Sequence, residues 1–278
     1  MSHLLHLILA TLGPARVFVV AMLAAVPASA QSLFPRLSLT GGSYFSRFST
    51  DMRADSGTLE GTEVNAEREL GLTSSKRLKR FTLEWRPFER HEFETSYFSA
   101  SRNGFRDING PIVFNGQTYP AQAQVTTNFA LKYWDLTYTA WVHRSERDGV
   151  GLTLGVARIA VNASLFAQRP GETLTITEEA ATNVPVAMVG AQARSALTPR
   201  ISLEGRAEAL PRVHIDVYSG RALIANVLLE YRITRNIGLG GGYNYSRIDG
   251  TVNDPRLNGN LAMTIDGAEG YLRIAFGR

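Results

Sequence analysis

The amino-acid sequence predicts an all-β protein, a transmembrane antiparallel up-and-down β-barrel of about ten strands. Three observations lead to this fold class. Long segments alternate apolar and polar residues with a period of two, short and long connections alternate along the chain, and no apolar run after residue 30 is long enough for a membrane-spanning helix. Barrels of eight or twelve strands are the alternatives.

The composition restricts the classes of function. Of 278 residues, 44% are apolar and 19% are charged, against about 25% charged in ordinary soluble proteins. A chain with this balance is not disordered. The absence of cysteine excludes disulfide scaffolds, thiolate zinc sites and cysteine nucleophiles. Basic residues cluster only at Lys76–Arg80 and the chain is predicted to be exported, so nucleic-acid binding is not expected.

The first thirty residues have the layout of a secretory signal. Arg16 precedes an apolar stretch, Val17–Val26, and Ala28-Ser29-Ala30 forms a small-x-small cleavage site before Gln31. A permanent N-terminal anchor helix is the alternative. We predict a cleaved signal peptide over 1–30 and a single barrel domain over 31–278.

The clearest strand covers residues 201–217, where odd positions are apolar or small and even positions are almost all polar. Successive side chains of a strand point to opposite faces, so one face is apolar and the other polar. Seventeen residues span about 55 Å, far more than a usual soluble strand. A soluble β-sandwich, which would have shorter strands, is the alternative. The ten predicted strands lie at about 36–50, 79–87, 91–105, 125–143, 150–167, 184–197, 200–217, 221–234, 237–249 and 261–276.

The connections add detail to this arrangement. The alternation breaks near Arg158-Ile159, which predicts a β-bulge. Within the connection 106–124, Asn115-Gly116 lies between apolar flanks and predicts a β-hairpin that projects above the membrane. If that hairpin belonged to the wall, the barrel would have twelve strands. Long polar links are predicted at about 51–78, 106–124, 168–183 and 250–260.

The inward, polar face carries many ionisable residues. Isolated charges in a narrow lumen would cost several kcal/mol each, so they should pair, and Arg194, Glu230 and Arg232 on the adjoining strands are the expected partners of the charges on 200–217. Either the pairs fill a closed lumen or they form a constriction that selects small ions. Glu92 and Glu94 face inward as well. The predicted lumen charge network is Glu84, Arg86, Asp135, Arg194, Glu204, Arg206, Glu208, Arg212, Glu230, Arg232, Glu269 and Arg273.

One pair of residues has the chemistry of a catalytic dyad. His214 and Asp216 point to the same face at the outer end of the seventh strand, so Asp216 could orient His214 as a general base. A lone histidine near a strand end is usually a solvated rim residue, and we do not predict an enzyme. The sequence contains neither Gly-x-Ser-x-Gly nor His-Glu-x-x-His, and we predict no metal site and no cofactor.

The last strand, Gly270-Tyr-Leu-Arg-Ile-Ala-Phe276, resembles the C-terminal assembly signal of Gram-negative outer-membrane β-barrel proteins, although Gly277-Arg278 follow the aromatic residue. Leu83–Arg86 and Gly238–Tyr245 resemble segments of a group of exported proteobacterial barrels with no assigned activity. The resemblance implies an outer-membrane location, contact with outer-membrane lipid, and assembly by the barrel-assembly machinery through the C-terminal strand. It identifies no surface ligand.

The resemblance leaves three roles open. The first is a non-enzymatic structural or surface-interaction protein, and the second is a narrow porin-like channel for small ions or solutes. The third is an outer-membrane enzyme like the omptin proteases, which are ten-stranded barrels with an acid–histidine pair near the extracellular rim opposite a second pair of acids. In this chain the acid follows the histidine, and no matching acid pair is found on a facing strand. We expect the first role.

Overall fold

Long antiparallel strands dominate the computed structural model, which describes residues 33–56, 59–114, 116–168, 175–215, 217–254 and 257–277. Among these residues, no helix has the length and apolar character needed to cross a membrane. The elements in chain order are β1 (Leu37–Asp55), β2 (Val64–Asn65), α1 (Ala66–Glu69), β3 (Ser75–Phe88), β4 (His91–Asp107), β5 (Ile112–Phe114), β6 (Gln117–Tyr119), β7 (Gln124–Arg144), β8 (Asp148–Gln168), β9 (Thr175–Ala196), β10 (Ile201–Ile215), β11 (Tyr218–Arg232), β12 (Ile237–Asp254) and β13 (Leu257–Phe276).

Ten of these strands form the wall: β1, β3, β4 and β7 to β13. Each pairs antiparallel with the next, and β13 pairs with β1 from Leu37↔Phe276 to Asp55↔Asn258, which closes the ring. A closed ring satisfies the backbone groups of every wall strand without a free edge. The predicted fold class is confirmed. The alternative of twelve strands is wrong, because β5 and β6 form a separate two-stranded sheet outside the wall.

The two ends of the barrel differ. At one end, the turn end, short turns join the strands. Strand β1 begins at this end and β13 finishes there. At the other, the hairpin end, the predicted long links 168–183 and 250–260 are mostly strand. The β8–β9 ladder continues to Gln168↔Thr175 and the β12–β13 ladder to Asp254↔Leu257. Ladder hydrogen bonds hold polar strands together above a membrane, so polarity alone does not end a strand.

The bulge predicted near Arg158-Ile159 is absent. Strand β8 keeps its register there, with Arg158 opposite Trp134 and Ile159 opposite Tyr133 on β7. The backbone stays regular, and the change is in which face of the strand carries the apolar side chains. Towards the turn end, Val150, Leu152, Leu154 and Val156 face outward. Towards the hairpin end, Ile159, Val161, Ala163 and Leu165 face inward.

The barrel therefore has two levels, a lower level towards the turn end and an upper level towards the hairpin end. Towards the turn end its outer surface carries an apolar band. Along β11 and one residue beyond its end, the band runs from Leu223 to Ile233, about 33 Å of extended chain or about 25 Å along the normal of a bilayer for a tilted strand. Towards the hairpin end, the lumen itself is filled by an apolar core that includes Phe48, Met52, Phe98, Phe129, Leu131, Ile159, Leu165, Met263 and Ile265.

The first long link is built into the wall. Strand β3 pairs with β1 only up to Arg47↔Ser75, although β1 continues to Asp55. The segment that contains β2 and α1 fills the gap between β1 and β4, pairing Met52 with Val64 and bridging Leu72 to Gly104. At the bridge the two backbones approach so closely that a Cβ on Gly104 would lie 2.6 Å from backbone atoms of residues 70 to 72.

Candidate functional site

The ionisable side chains that face the lumen in the lower level form one layer, which we call the charged layer. It contains every residue of the predicted network whose side chain is described, together with three that the network did not include, Arg80, Glu92 and Glu94. The side chains of Arg212 and His214, and all of Asp216, lie outside the described part of the chain. The layer consists of Arg80, Glu84, Arg86, Glu92, Glu94, Asp135, Arg194, Glu204, Arg206, Glu208, Glu230, Arg232, Glu269 and Arg273.

Arg194 binds three carboxylates at once. Its Nη2 atom lies 2.8 Å from Glu92 and 3.4 Å from Glu84, and its Nε atom lies 2.9 Å from Glu204. The guanidinium carbon is also 5.1 Å from the centroid of the Trp141 ring. Glu204 is the direct cross-strand neighbour of Arg194, as predicted. The two other acids belong to β3 and β4, on the far side of the lumen.

Arg206 binds across the lumen instead of to a neighbouring strand. Its guanidinium makes a bidentate contact with Glu94, with Nη1 at 2.7 Å from Oε1. The prediction that the charges of this strand pair with groups on neighbouring strands is wrong for Arg206. The register places neutral Asn226 and Gln192 beside Arg206 on the two adjacent strands, so the nearest acid is the one it reaches across the narrow lumen.

Two further arginines of the layer, Arg273 and Arg80, also pair with carboxylates. Arg273 contacts Glu84 and lies 3.4 Å from Glu230. Arg80 lies 3.4 Å from Glu269 and donates to Asn244 at 2.9 Å. The alternation of β3 places Arg80 on the same face as Glu84, so its inward position was readable from the sequence. Arg80 lies within the predicted strand 79–87, but the predicted network did not include it.

Apolar layers border the charged layer on both sides. At the turn end, Phe34 and Trp141 meet with their ring centroids 4.9 Å apart, and both side chains are buried. At the hairpin end lies the apolar core of the upper level. Between them are two small polar cavities, which share Glu204 and Arg273 in their linings. The arrangement resembles a packed interior more than an open channel.

Replacing Arg206 by methionine tests whether the charged layer is dry. We expect a loss of about 3–5 kcal/mol in the free energy of unfolding, because Glu94 would stay buried without its partner. Urea unfolding in lipid vesicles measures it. Arg247→Met is the matched control, since Arg247 pairs with Asp249 on the exposed surface at 3.3 Å and should cost less than about 1 kcal/mol. An equally small loss for Arg206→Met would show that water solvates the layer.

A second buried ion pair lies in the upper level, and the sequence reasoning did not identify it. Arg102 of β4 is fully buried, and its Nη1 atom lies 2.5 Å from Glu67 of α1. The guanidinium stands between the rings of Phe48 and Phe129, at 4.2 and 4.7 Å from their centroids. The alternation that turns Glu92 and Glu94 inward also turns Arg102 inward, but nothing local in the sequence points to a partner 35 residues earlier.

The outer surface changes sharply at the upper edge of the apolar band. Just above the band, outward positions on six of the ten wall strands carry cations, and we call this set the basic girdle: Arg47, Arg77, Lys79, Lys132, Arg158, Arg221 and Arg247. Two acids lie among them. Asp266 accepts hydrogen bonds from Arg47 and Tyr243, and Asp249 accepts them from Arg221 and Arg247. Exposed aromatic residues, including Trp85, Tyr231 and Phe276, lie towards the lower edge of the band, as at membrane interfaces.

Comparison with known proteins agrees with this architecture. The chain is similar to the outer membrane protease OmpT from Escherichia coli, with a TM-score of 0.50 and 10% identity, over 86% of this chain and 97% of that one. The fold is that of a Gram-negative outer-membrane β-barrel. The barrel also matches the transport unit of the autotransporter AIDA-I from Escherichia coli, with a TM-score of 0.40 and 10% identity over 87% and 89% of the two chains. A further match is Ail, the attachment invasion locus protein of Yersinia pestis, with a TM-score of 0.32 and 10% identity over 86% and 98%.

Sequence comparison adds no activity to this outer-membrane barrel. No family model matches it, and no curated protein matches it. At 10% identity the likeness to OmpT concerns the fold alone. The residues proposed for a catalytic dyad lie in the part of the rim where side chains are not described.

Proposed function

We propose that the protein is a non-enzymatic integral outer-membrane barrel with a closed lumen, which serves as a structural or surface-interaction protein. One observation carries the proposal: the charged layer lies between two apolar layers, and Arg194, Arg206 and Arg273 all bind carboxylates inside it. Arginine side chains held in this way are not free to bind a passing ion or a substrate. The upper level projects beyond the apolar band and would offer a surface to partners outside the cell.

The outer surface supports a specific position in the membrane. The apolar band would lie in the hydrocarbon, and the basic girdle would contact the phosphate groups of outer-leaflet lipid. Both ends of the described chain lie at the turn end, so we place the turn end in the periplasm. The predicted signal peptide lies outside the described residues. Assembly through β13, which forms the closing seam with β1, is part of the same proposal.

Planar-bilayer recordings test the closed lumen. We expect no stepwise conductance from the purified barrel, since apolar side chains border the charged layer on both sides. The barrel should also show a heat-modifiable mobility shift on unboiled gels. A stepwise conductance that changes in Glu204→Gln would favour the narrow porin-like channel, and recovery as a soluble monomer without detergent would contradict the membrane barrel.

Substitutions at two places in the chain separate the remaining roles. An omptin-like enzyme should lose its activity in His214→Ala while the fold is retained. A surface-binding protein should tolerate that change and respond to substitutions on the hairpin β5–β6, where Gln117 and Thr118 are exposed. Shortening the first link would be a poor test, because its β2–α1 segment is part of the wall.

A further inference from the structure

The short segment before the first strand, Leu33–Arg36, lies inside the turn-end mouth of the barrel. The Phe34 side chain is only 1% exposed and that of Leu33 only 6%. The wall begins after this segment, with β1 at Leu37. The last ladder bond joins the Arg86 backbone N–H to the Arg36 carbonyl, so the burial of Leu33 to Pro35 depends on contacts outside the strand ladder.

A shaped pocket receives Phe34. The ring meets Trp141 edge-on, and the Arg144 guanidinium lies 5.0 Å from its centroid. Gly149 provides the space, because a Cβ at that position would lie 2.5 Å from the tip of the Phe34 ring. The pocket thus combines an aromatic wall, a cation over the ring and a position without a side chain, which together fit a planar aromatic group.

Arg86 binds the backbone of the same segment. Its Nε atom donates to the carbonyl oxygen of Pro35 at 3.2 Å, its Nη2 atom donates to that of Phe34, and its backbone N–H donates to Arg36 at 2.7 Å. Arg194, by contrast, directs its guanidinium at carboxylates. A guanidinium that binds consecutive main-chain carbonyl groups recognises an extended peptide whatever its side chains are.

The segment separates the charged layer from the turn end. The smaller of the two polar cavities has Leu33 and Pro35 on one side, and Ser202 with the charged-layer residues Arg194 and Glu230 on the other. Withdrawal of the segment would open this cavity to water at the turn end. It would also leave the Arg86 guanidinium without the two carbonyl groups that it binds.

We infer that the turn-end mouth is a binding pocket for an extended peptide with an aromatic anchor, which the chain's own segment Leu33–Arg36 occupies as a plug over the charged layer. This inference assigns a ligand class to a second site and does not depend on the non-enzymatic role proposed above. A segment tethered beside its pocket binds at a high effective concentration, so the pocket stays filled unless the anchor is lost or displaced.

Thiol labelling tests the plug, because the chain has no cysteine. Ser202→Cys places a single thiol behind the segment, at a side chain that is 8% exposed and lines the cavity. In the full chain carrying this thiol, we expect Phe34→Ala to accelerate modification by a charged thiol reagent about 100-fold, since loss of the buried ring weakens the closed state. Gly149→Val should accelerate it similarly by filling the pocket.

Two controls keep the result specific. Phe88→Ala removes an exposed aromatic side chain at the same end of the barrel and should leave the labelling rate unchanged. A thiol introduced by Thr127→Cys, at a fully buried position of the upper level, should stay unreactive in the Phe34→Ala and Gly149→Val chains. Equal acceleration at both thiols would indicate general loosening and overturn the inference, as would an unchanged rate at Ser202→Cys.

A peptide supplied in trans tests the pocket itself. The hexapeptide with the sequence of residues 31–36, Gln-Ser-Leu-Phe-Pro-Arg, should slow the labelling of the Phe34→Ala chain towards the original rate. The same peptide with alanine in place of phenylalanine should have little effect. If neither peptide protects the thiol, the segment is a passive floor and the binding pocket is wrong.

Discussion

Replacing Arg194 by methionine is expected to lower the free energy of unfolding of the barrel in lipid vesicles by about 5 kcal/mol, the upper end of the range for breaking a buried ion pair. The guanidinium is 3% exposed and is shared by Glu84, Glu92 and Glu204. Without it, Glu92 and Glu204 would stay in the lumen without the cation that binds them, and Glu84 would keep only Arg273. Arg206, which has one carboxylate partner, should be the less costly of the two positions.

The cause can be separated from lost packing. Methionine keeps most of the apolar length of the Arg194 side chain, so the charged guanidinium, which lies over the Trp141 ring, is the main difference. Adding Glu92→Gln and Glu204→Gln to Arg194→Met should recover much of the lost stability, because it removes the unpaired charges. Arg221→Met, on the exposed surface beside Asp249, serves as the control and should cost less than about 1 kcal/mol. A loss as small as this for Arg194→Met would contradict a dry charged layer.

Much of the fold could be predicted because strand alternation is a local property. Trp85 and Glu84, or Leu203 and Glu204, are separated onto opposite faces by their positions alone. The pairing inside the lumen is different. Arg206 meets Glu94 only because the closed ring brings β10 and β4 face to face, and no turn joins those strands. Predictions based on neighbouring strands therefore identified Arg194–Glu204 and missed the pair that crosses the lumen.

The misplaced bulge has a related explanation. Alternation in a sequence shows which residues are apolar, but it does not show whether lipid or a protein core covers them. On β8, Leu154 belongs to the outward apolar band and Val161 belongs to the upper core. The apolar residues therefore change from even to odd positions while the backbone stays regular. A change of parity within a long strand marks the height at which such a barrel leaves the membrane. The contacts of Leu33–Arg36 could not be predicted, because an isolated Leu-Phe-Pro carries no periodic pattern.

The buried pair in the wall gap gives the second large expected effect. The Glu67 carboxylate joins both edges of the gap, since one oxygen binds Arg102 of β4 and the other accepts from the backbone N–H of Thr50 on β1 at 2.8 Å. Arg102 also donates to the Thr50 hydroxyl at 2.9 Å. β3 begins at Ser75 and does not extend along this part of β1. The Glu67 carboxylate thus connects β1 to β4 where β3 does not.

Arg102→Met should therefore loosen the wall locally as well as lower the free energy of unfolding, by about 3–5 kcal/mol. The expected local effect is faster trypsin cleavage after Arg68, which lies in α1 next to Glu67. Limited proteolysis of the folded barrel and urea unfolding in vesicles measure the two effects. Arg106→Met is the control for proteolysis, because Arg106 also contacts this segment, at the carbonyl of Arg68, but is exposed.

Combining Arg102→Met with Glu67→Met distinguishes an electrostatic connection from simple packing. The double variant has no unpaired charge and places two flexible apolar side chains between the rings of Phe48 and Phe129, so it should regain much of the lost stability. Its trypsin sensitivity should stay high, because the backbone N–H of Thr50 still lacks the carboxylate that joins it to the segment. If the double variant resisted trypsin like the original chain, apolar packing alone would hold the segment in the wall gap, and the carboxylate would not be its connection to β1.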